Sequence, residues 1–151
     1  MPIDSNDLAW AAGIFEGEGS IRISPATRRN LGHLTATIAN TDYEMLEWFN
    51  ARWPGYFKVS SNVGTNWRPA WWWMIAAKKA AVFLRAIQPY VKTRRVQMKI
   101  ELGLRFQDNK RVGHPRSPEY ATRQRAFFLE MKALNVRGRS ALDRIADANK
   151  F

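Results

Sequence analysis

The sequence predicts an α+β domain: a four-stranded antiparallel sheet with helices on one face and the other face free. Two kinds of spacing, and their order along the chain, lead to this reading. Three segments alternate apolar and polar residues, as half-buried strands do, and with a fourth, tryptophan-rich run they make two pairs, the members of each joined by a turn-rich stretch. The stretches before, between and after the pairs space their apolar residues three and four apart, as helices do.

Taken in order, Ser5 or Asn6 can cap a first helix that ends near Glu16, ahead of the breakers Gly17 and Gly19. Gly19 to Ala26 and His33 to Asn40 then alternate and read as a hairpin around the polar, basic turn Thr27 to Gly32. Asp42 to Trp53 carries Met45, Leu46, Phe49 and Trp53 at helical spacing, with Thr41 or Asp42 as cap, and Pro54-Gly55 stops it. A second hairpin is expected from Tyr56 to Ser61 and Trp67 to Ala76, around Asn62-Val63-Gly64-Thr65-Asn66. Lys78 to Ile87 reads as a helix closed by Pro89, and Thr93 to Phe106 as another. After a Gly/Pro-punctuated loop, Asp108 to Pro118, the last helix is Glu119 to Leu134. A single domain over 1–151 is expected, with a core at about 5–107 and a helical extension at about 118–151.

The chain holds 24 Lys+Arg against 13 Asp+Glu, a formal charge of +11, with no cysteine and only two histidines, His33 and His114. Disulfide scaffolds, thiolate zinc sites and cysteine nucleophiles are thereby excluded, and a His-based metal site or Ser-His-Asp triad is disfavoured. Any metal must rest on carboxylates. The apolar run Leu8 to Phe15 is too short to span a bilayer and has acids at both flanks, so an intracellular protein without a secretion signal is expected. A charge excess this large on a folded domain points to a polyanion, nucleic acid before anionic membrane. Its distribution sharpens this: residues 1–20 carry four acids and no base, whereas residues 21–95 carry twelve bases against three acids, Asp42, Glu44 and Glu47.

Strand alternation says what the free sheet face carries. Ser20, Arg22 and Ser24 oppose Ile21 and Ile23; His33, Thr35 and Thr37 oppose Leu34, Ala36 and Ile38; Tyr56, Lys58 and Ser60 oppose Phe57 and Val59. An ordinary solvated face would show the same alternation, but the bases and the near absence of acids favour contact with base edges and phosphates in a major groove. Arg28, Arg29 and Arg68, at hairpin ends, suit outer base pairs or phosphates. The fourth strand puts indoles on both faces: Trp72 and Met74 suit the core, while Trp71 and Trp73 divide between packing and contact with DNA sugars or base methyl groups.

The first helix is apolar all round from Leu8 to Phe15 and so needs burial on two sides. Leu8, Ala11 and Phe15 can face the core, while Ala9, Ala12, Gly13, Glu16 and Gly17 form a small-residue stripe that admits another helix, either that of a second copy or one of the same chain. Glu16 and Glu18 end this helix where its dipole disfavours negative charge. Two copies meeting on a two-fold axis would bring their carboxylates together to share cations, Mg²⁺ by ligand hardness; two solvated acids are the plainer alternative.

Ala11 to Gly19, AAGIFEGEG, resembles the signature block of the LAGLIDADG homing endonucleases, with small interface residues, two acids one apart and flanking glycines. The element order is similar to that family's αββαββα core, and Asn40-Thr41-Asp42 and Gln88-Pro89-Tyr90 through Arg94 resemble positions its members carry. The resemblance implies a site-specific double-strand DNA endonuclease of the single-motif type, acting as a homodimer on near-palindromic DNA, cutting across the minor groove and leaving 3′ overhangs. It implies Glu18 as the metal-binding carboxylate, one from each subunit, with the Gly17 carbonyl as a further ligand and Glu16 nearer the helix interface. Asp42 would organise metal or water, and Arg94 or Lys92 would lie near the scissile phosphate. Mg²⁺ is the implied cofactor, with Mn²⁺ a substitute and Ca²⁺ binding without supporting cleavage. Glutamate in place of the motif's aspartate lengthens each ligand arm by one methylene. A non-cleaving DNA-binding regulator and an RNA-binding intron maturase on the same fold are the alternatives, and an intron-encoded origin is implied.

Overall fold

The computed structural model describes residues 2–25, 27, 32–59, 69–110 and 117–136. Helix α1 (Ser5–Glu18) runs into strands β1 (Gly19–Ile23) and β2 (Leu34–Asn40). Helix α2 (Tyr43–Arg52), strands β3 (Tyr56–Val59) and β4 (Trp71–Ala76), and helix α3 (Ala77–Ile87) follow. A 3₁₀ turn at Gln88–Tyr90 leads to α4 (Arg94–Asn109) and α5 (Pro118–Leu134). The four strands form one antiparallel sheet in the order β1-β2-β4-β3, so the two hairpins lie side by side through β2 and β4. The fold class and element order are as the sequence predicts.

The element ends differ for local reasons. Asp4, rather than Ser5 or Asn6, caps α1, its Oδ1 accepting from the Asp7 N–H at 2.8 Å. The helix continues to Glu18, because Gly19 closes it with an N–H donated to the Phe15 carbonyl. A Cβ at Gly19 would collide with the Phe15 ring and carbonyl, so the sharp exit from α1 into β1 requires glycine. Strand β1 stops at Ile23 instead of Ala26, since Pro25 has no N–H for the ladder. Ser24 makes the last links to His33, donating its N–H at 2.9 Å and accepting at its hydroxyl from the His33 N–H at 2.7 Å. Pro69 and Ala70 lie outside β4, which begins at Trp71 rather than Trp67.

Ile21, Ile23, Leu34, Ala36, Ile38, Trp73 and Ile75 form the buried face of the sheet, and Phe15, Leu46, Phe49, Phe83, Ile100 and Phe106 come down onto it from the helices. Gly103 lets α4 approach closely, since a Cβ there would meet Leu34 at 2.8 Å. α5 packs against α4 and against the unpaired edge of β1, where the Asn135 Nδ2 donates to the Ile21 carbonyl at 2.8 Å. None of the outward side chains of the four strands is buried. Among the described residues no helix is long and apolar enough to cross a membrane.

Candidate metal site and nucleic-acid interface

The C-terminal turn of α1 is where distant segments meet. The Glu16 Oε1 accepts from the backbone N–H groups of Lys92 and Thr93, at 2.6 and 2.7 Å, and from the Thr93 hydroxyl at 3.0 Å. Desolvation pushes this carboxyl up, but the Thr93 and Lys92 donors outweigh it and hold Glu16 below its ordinary value. Glu16 therefore ties the start of α4 to the end of α1 and does not point out of the small-residue stripe. The two bases implied by the family resemblance, Lys92 and Arg94, are exposed beside that tie. Glu18 is exposed and makes no hydrogen bond or ion pair among the described residues.

Glu18 fits a divalent cation by its chemistry. Its carboxylate ends a helix, where the dipole repels negative charge, and no donor offsets that cost. The Gly17 carbonyl has no helical donor four residues on, because residue 21 is already in β1. Carboxylate and carbonyl oxygens are the hard ligands that Mg²⁺ takes. Among the described residues no three His, Cys, Asp or Glu side chains group together.

Asp42 has a structural task. Its Oδ1 caps α2 by accepting from the Met45 N–H at 3.0 Å, and its own N–H donates to the Asn40 Oδ1 at 2.9 Å. Register places Gly19 opposite Ile38, so Asp42, just past the end of β2, lies at the Glu18 end of the sheet.

A cleft of about 550 Å³ opens beside this turn, lined among others by Glu16, Gly17, Ser20, Arg22, Arg95 and Lys99. Arg95 is committed, donating to the Leu134 carbonyl at 3.0 and 2.8 Å and to the Val136 carbonyl at 2.8 Å, which fastens the end of α5. The Lys99 ammonium has no hydrogen-bond partner among the described residues. Desolvation, and then the Arg95 charge, bring its pKa down to about 8. Sequence reading missed both residues; two bases four apart on one helix face with no acid between them were the available signal.

Across the outer sheet face, directly opposed residues form three rows. Ser20, Thr37, Met74 and Tyr56 make one, Arg22, Thr35 and Ala76 a second, and Ala39, Trp72 and Lys58 a third. Arg22, Thr35, Thr37, Tyr56 and Lys58 thus share one face, with Ser24 and His33 continuing it past β1. Arg28, Arg29, Ser60 and Arg68 lie outside the described residues. Of the two readings left open for Trp71 and Trp73, packing is the one observed, and the assignment of Trp72 is reversed. Trp73 is 0% exposed, its indole N–H donating to the Trp53 carbonyl at 3.0 Å, and it has no surface to offer DNA. Trp71 shares its face and packs on Tyr43 and Phe57, at ring separations of 4.7 and 5.7 Å. Trp72, expected in the core with Met74, stands outward and is 41% exposed. Three consecutive tryptophans carry no alternation, so only pairing with β2 fixes which face each takes.

The α1 stripe is narrower than expected. Ala12 is 0% exposed and faces the protomer's own core, as Ala11 and Phe15 do. Ala9, Gly13 and Gly17 remain exposed at four-residue spacing, and a Cβ on either glycine would meet nothing within 4 Å. Trp10, 44% exposed, flanks the stripe with its ring edge-on to Trp48.

No protein-family model matches the sequence, and no curated protein does. Solved structures match the fold. The homing endonuclease I-CvuI, in complex with its target in the presence of calcium, aligns at TM-score 0.71 and 12% identity, over 89% of this chain and 85% of that one. The archaeal intron-encoded homing endonuclease I-Vdi141I, complexed with DNA, aligns at 0.70 and 14%, over 88% and 86%. The LAGLIDADG homing endonuclease I-SmaMI, bound to cleaved DNA, aligns at 0.67 and 15%, over 86% of this chain but 45% of that one. The chain therefore has the LAGLIDADG homing-endonuclease fold. It spans nearly the whole of the first two and about half of the third.

Proposed function

We propose, from a fold shared with DNA-bound homing endonucleases, that the protein is a site-specific double-strand DNA endonuclease. In this reading it acts as a homodimer and requires a divalent cation. The observation that carries the proposal is the Glu16 tie: beside it, at one end of a sheet whose four strands hold no acid, lie two exposed bases, Lys92 and Arg94, and the Glu18 carboxylate, unpartnered among the described residues.

Each part has a physical task. Outward residues of β1 and β2, Arg22, Thr35 and Thr37, hydrogen-bond base edges, and Lys58 and neighbouring bases hold phosphates. The exposed stripe Ala9, Gly13 and Gly17 lets two α1 helices approach, which presents one Glu18 to each strand and lets partner oxygens and DNA phosphates complete what a single protomer lacks. Glu18 and the Gly17 carbonyl would hold Mg²⁺, which would supply charge at the phosphate and a lowered pKa for the attacking water. Arg94 or Lys92 offsets the charge developing on phosphorus, and Asp42 keeps the start of α2 fixed at this end of the sheet. Attack by water on the phosphodiester needs no covalent protein intermediate.

The test is incubation with a randomised near-palindromic DNA library, sequencing the cut and the bound fractions, with Mg²⁺ or Ca²⁺ and with Glu18→Gln. Cutting at one site with Mg²⁺, lost in Glu18→Gln by at least about a hundredfold while binding persists, is the expected result. Near-normal cutting by that variant would sink the metal assignment. Selective binding without cutting would leave a DNA-reading module, and no selective binding would overturn the proposal.

A further inference from the structure

The outer face of the sheet is chemically divided. Its β1–β2 half presents Ser20, Arg22, Thr35 and Thr37, hydrogen-bonding groups suited to base edges. Its β4–β3 half presents Trp72, Met74, Ala76 and Tyr56, with Lys58 as the one charge. Trp72 and Tyr56 are 41% and 52% exposed, an aromatic surface held open to solvent. The Lys58 ammonium sits 5.3 Å from the Tyr56 ring centre and 5.9 Å from that of Trp72, within the reach of cation–π attraction. Register sets Tyr56 opposite Met74 and Trp72 two residues along the same face, so the apolar groups form one patch that a partner can cover.

We propose that this half reads thymine through its C5-methyl group, with Trp72 as the principal contact and Tyr56 and Met74 beside it. The inference rests on the endonuclease reading and deepens it. The major groove offers hydrogen-bonding atoms at every base pair, and its apolar feature is the thymine methyl. An indole standing out of a strand meets that methyl by van der Waals contact, without extrusion of a base. Charge favours DNA over a second protein copy at this face: none of the four strands contains an acid, and the Lys58 ammonium lies near both rings. The division predicts a site in which thymine is preferred at positions under β3 and β4, while positions under β1 and β2 are read by hydrogen bonds.

The test uses duplexes carrying the site selected by the full chain, bound in Ca²⁺, with deoxyuridine replacing each preferred thymine in turn. Deoxyuridine keeps every hydrogen-bonding atom and removes the methyl alone. Wild-type affinity is expected to fall about fourfold per methyl at those positions. Trp72→Ser, a change on an exposed side chain, should bind thymine and deoxyuridine alike there and keep its discrimination elsewhere. At cytosines tested under β3 and β4, 5-methylcytosine should bind wild type more tightly than cytosine.

Equal binding of thymine and deoxyuridine by wild type overturns the methyl reading and leaves the endonuclease reading standing. A selected site without thymine preferences does the same. A deoxyuridine penalty that persists in both Trp72→Ser and Tyr56→Ser overturns the assignment to these residues. If Trp72→Ser does not fold, the wild-type deoxyuridine scan together with Tyr56→Ser decides. Failure of wild type to select any DNA would instead strike the endonuclease reading itself.

Discussion

Lys99 holds its ammonium half-buried, next to the Arg95 charge and without a hydrogen-bond acceptor among the described residues, and its pKa falls to about 8 from an ordinary 10.5. Below pH 8 the group is charged in both folded and unfolded chains, and the folded state bears the whole desolvation cost. Between about 8 and 10.5 the unfolded chain binds the additional proton, so stability rises with pH across that window. Lys99→Met is therefore expected to melt higher than wild type at pH 7, with the difference closing towards pH 10.5. Thermal unfolding of metal-free protein against pH checks this, and a difference independent of pH would refute it. Glu16 is the contrasting case. Its three donors depress its pKa, so its contribution is present above the ordinary carboxylate range and is lost as acid titrates the folded protein through the lowered value.

Helix α1 does two jobs with opposite faces. Ala11, Ala12 and Phe15 close the core, while Ala9, Gly13 and Gly17 leave the other side nearly bare backbone. An exposed glycine inside a helix costs about 1 kcal/mol relative to alanine, and here no clash within the protomer demands it. Gly13→Leu and Gly17→Ser are accordingly expected to leave the protomer folded, with unchanged or raised Tm, and to abolish the proposed dimer in analytical ultracentrifugation. An unchanged dimer would remove this stripe from the interface. Much of each element was legible in the chain. Alternation marked the first three strands and their faces, and Pro54-Gly55 and Pro89 marked the helix ends. What failed was the face taken by Trp71, Trp72 and Trp73, because a run of like residues has no phase; hydrogen bonding to β2 supplies it.

At the scale of the molecule the charge has a consequence of its own. A chain of formal charge +11, proposed to bind DNA as a dimer, gains affinity mainly from counterions released at neutralised phosphates. Affinity is expected to fall about a thousandfold or more between 50 and 200 mM salt, as for about six phosphates contacted. Fluorescence anisotropy across that range measures the slope, and a nearly flat dependence would mean that the basic surface is turned away from the duplex. The match over most of I-CvuI but about half of I-SmaMI fits the same picture, in which one chain supplies one of two equivalent halves.

What the sequence determined by itself is whatever local periodicity and composition can encode. That covers the α+β class, the order of elements, the polar outer face of β1 and β2, the exclusion of thiol chemistry and the acidic end of α1. What only the tertiary structure decided are relations between distant residues. The Glu16 carboxylate meets Lys92 and Thr93 across more than seventy residues of chain, Arg95 grips the end of α5, and Lys99 is desolvated by elements that share no sequence pattern with it. Ala12 looked like part of an outward stripe for the same reason. A helix shows its small residues in sequence, but which side is covered depends on where the rest of the chain packs.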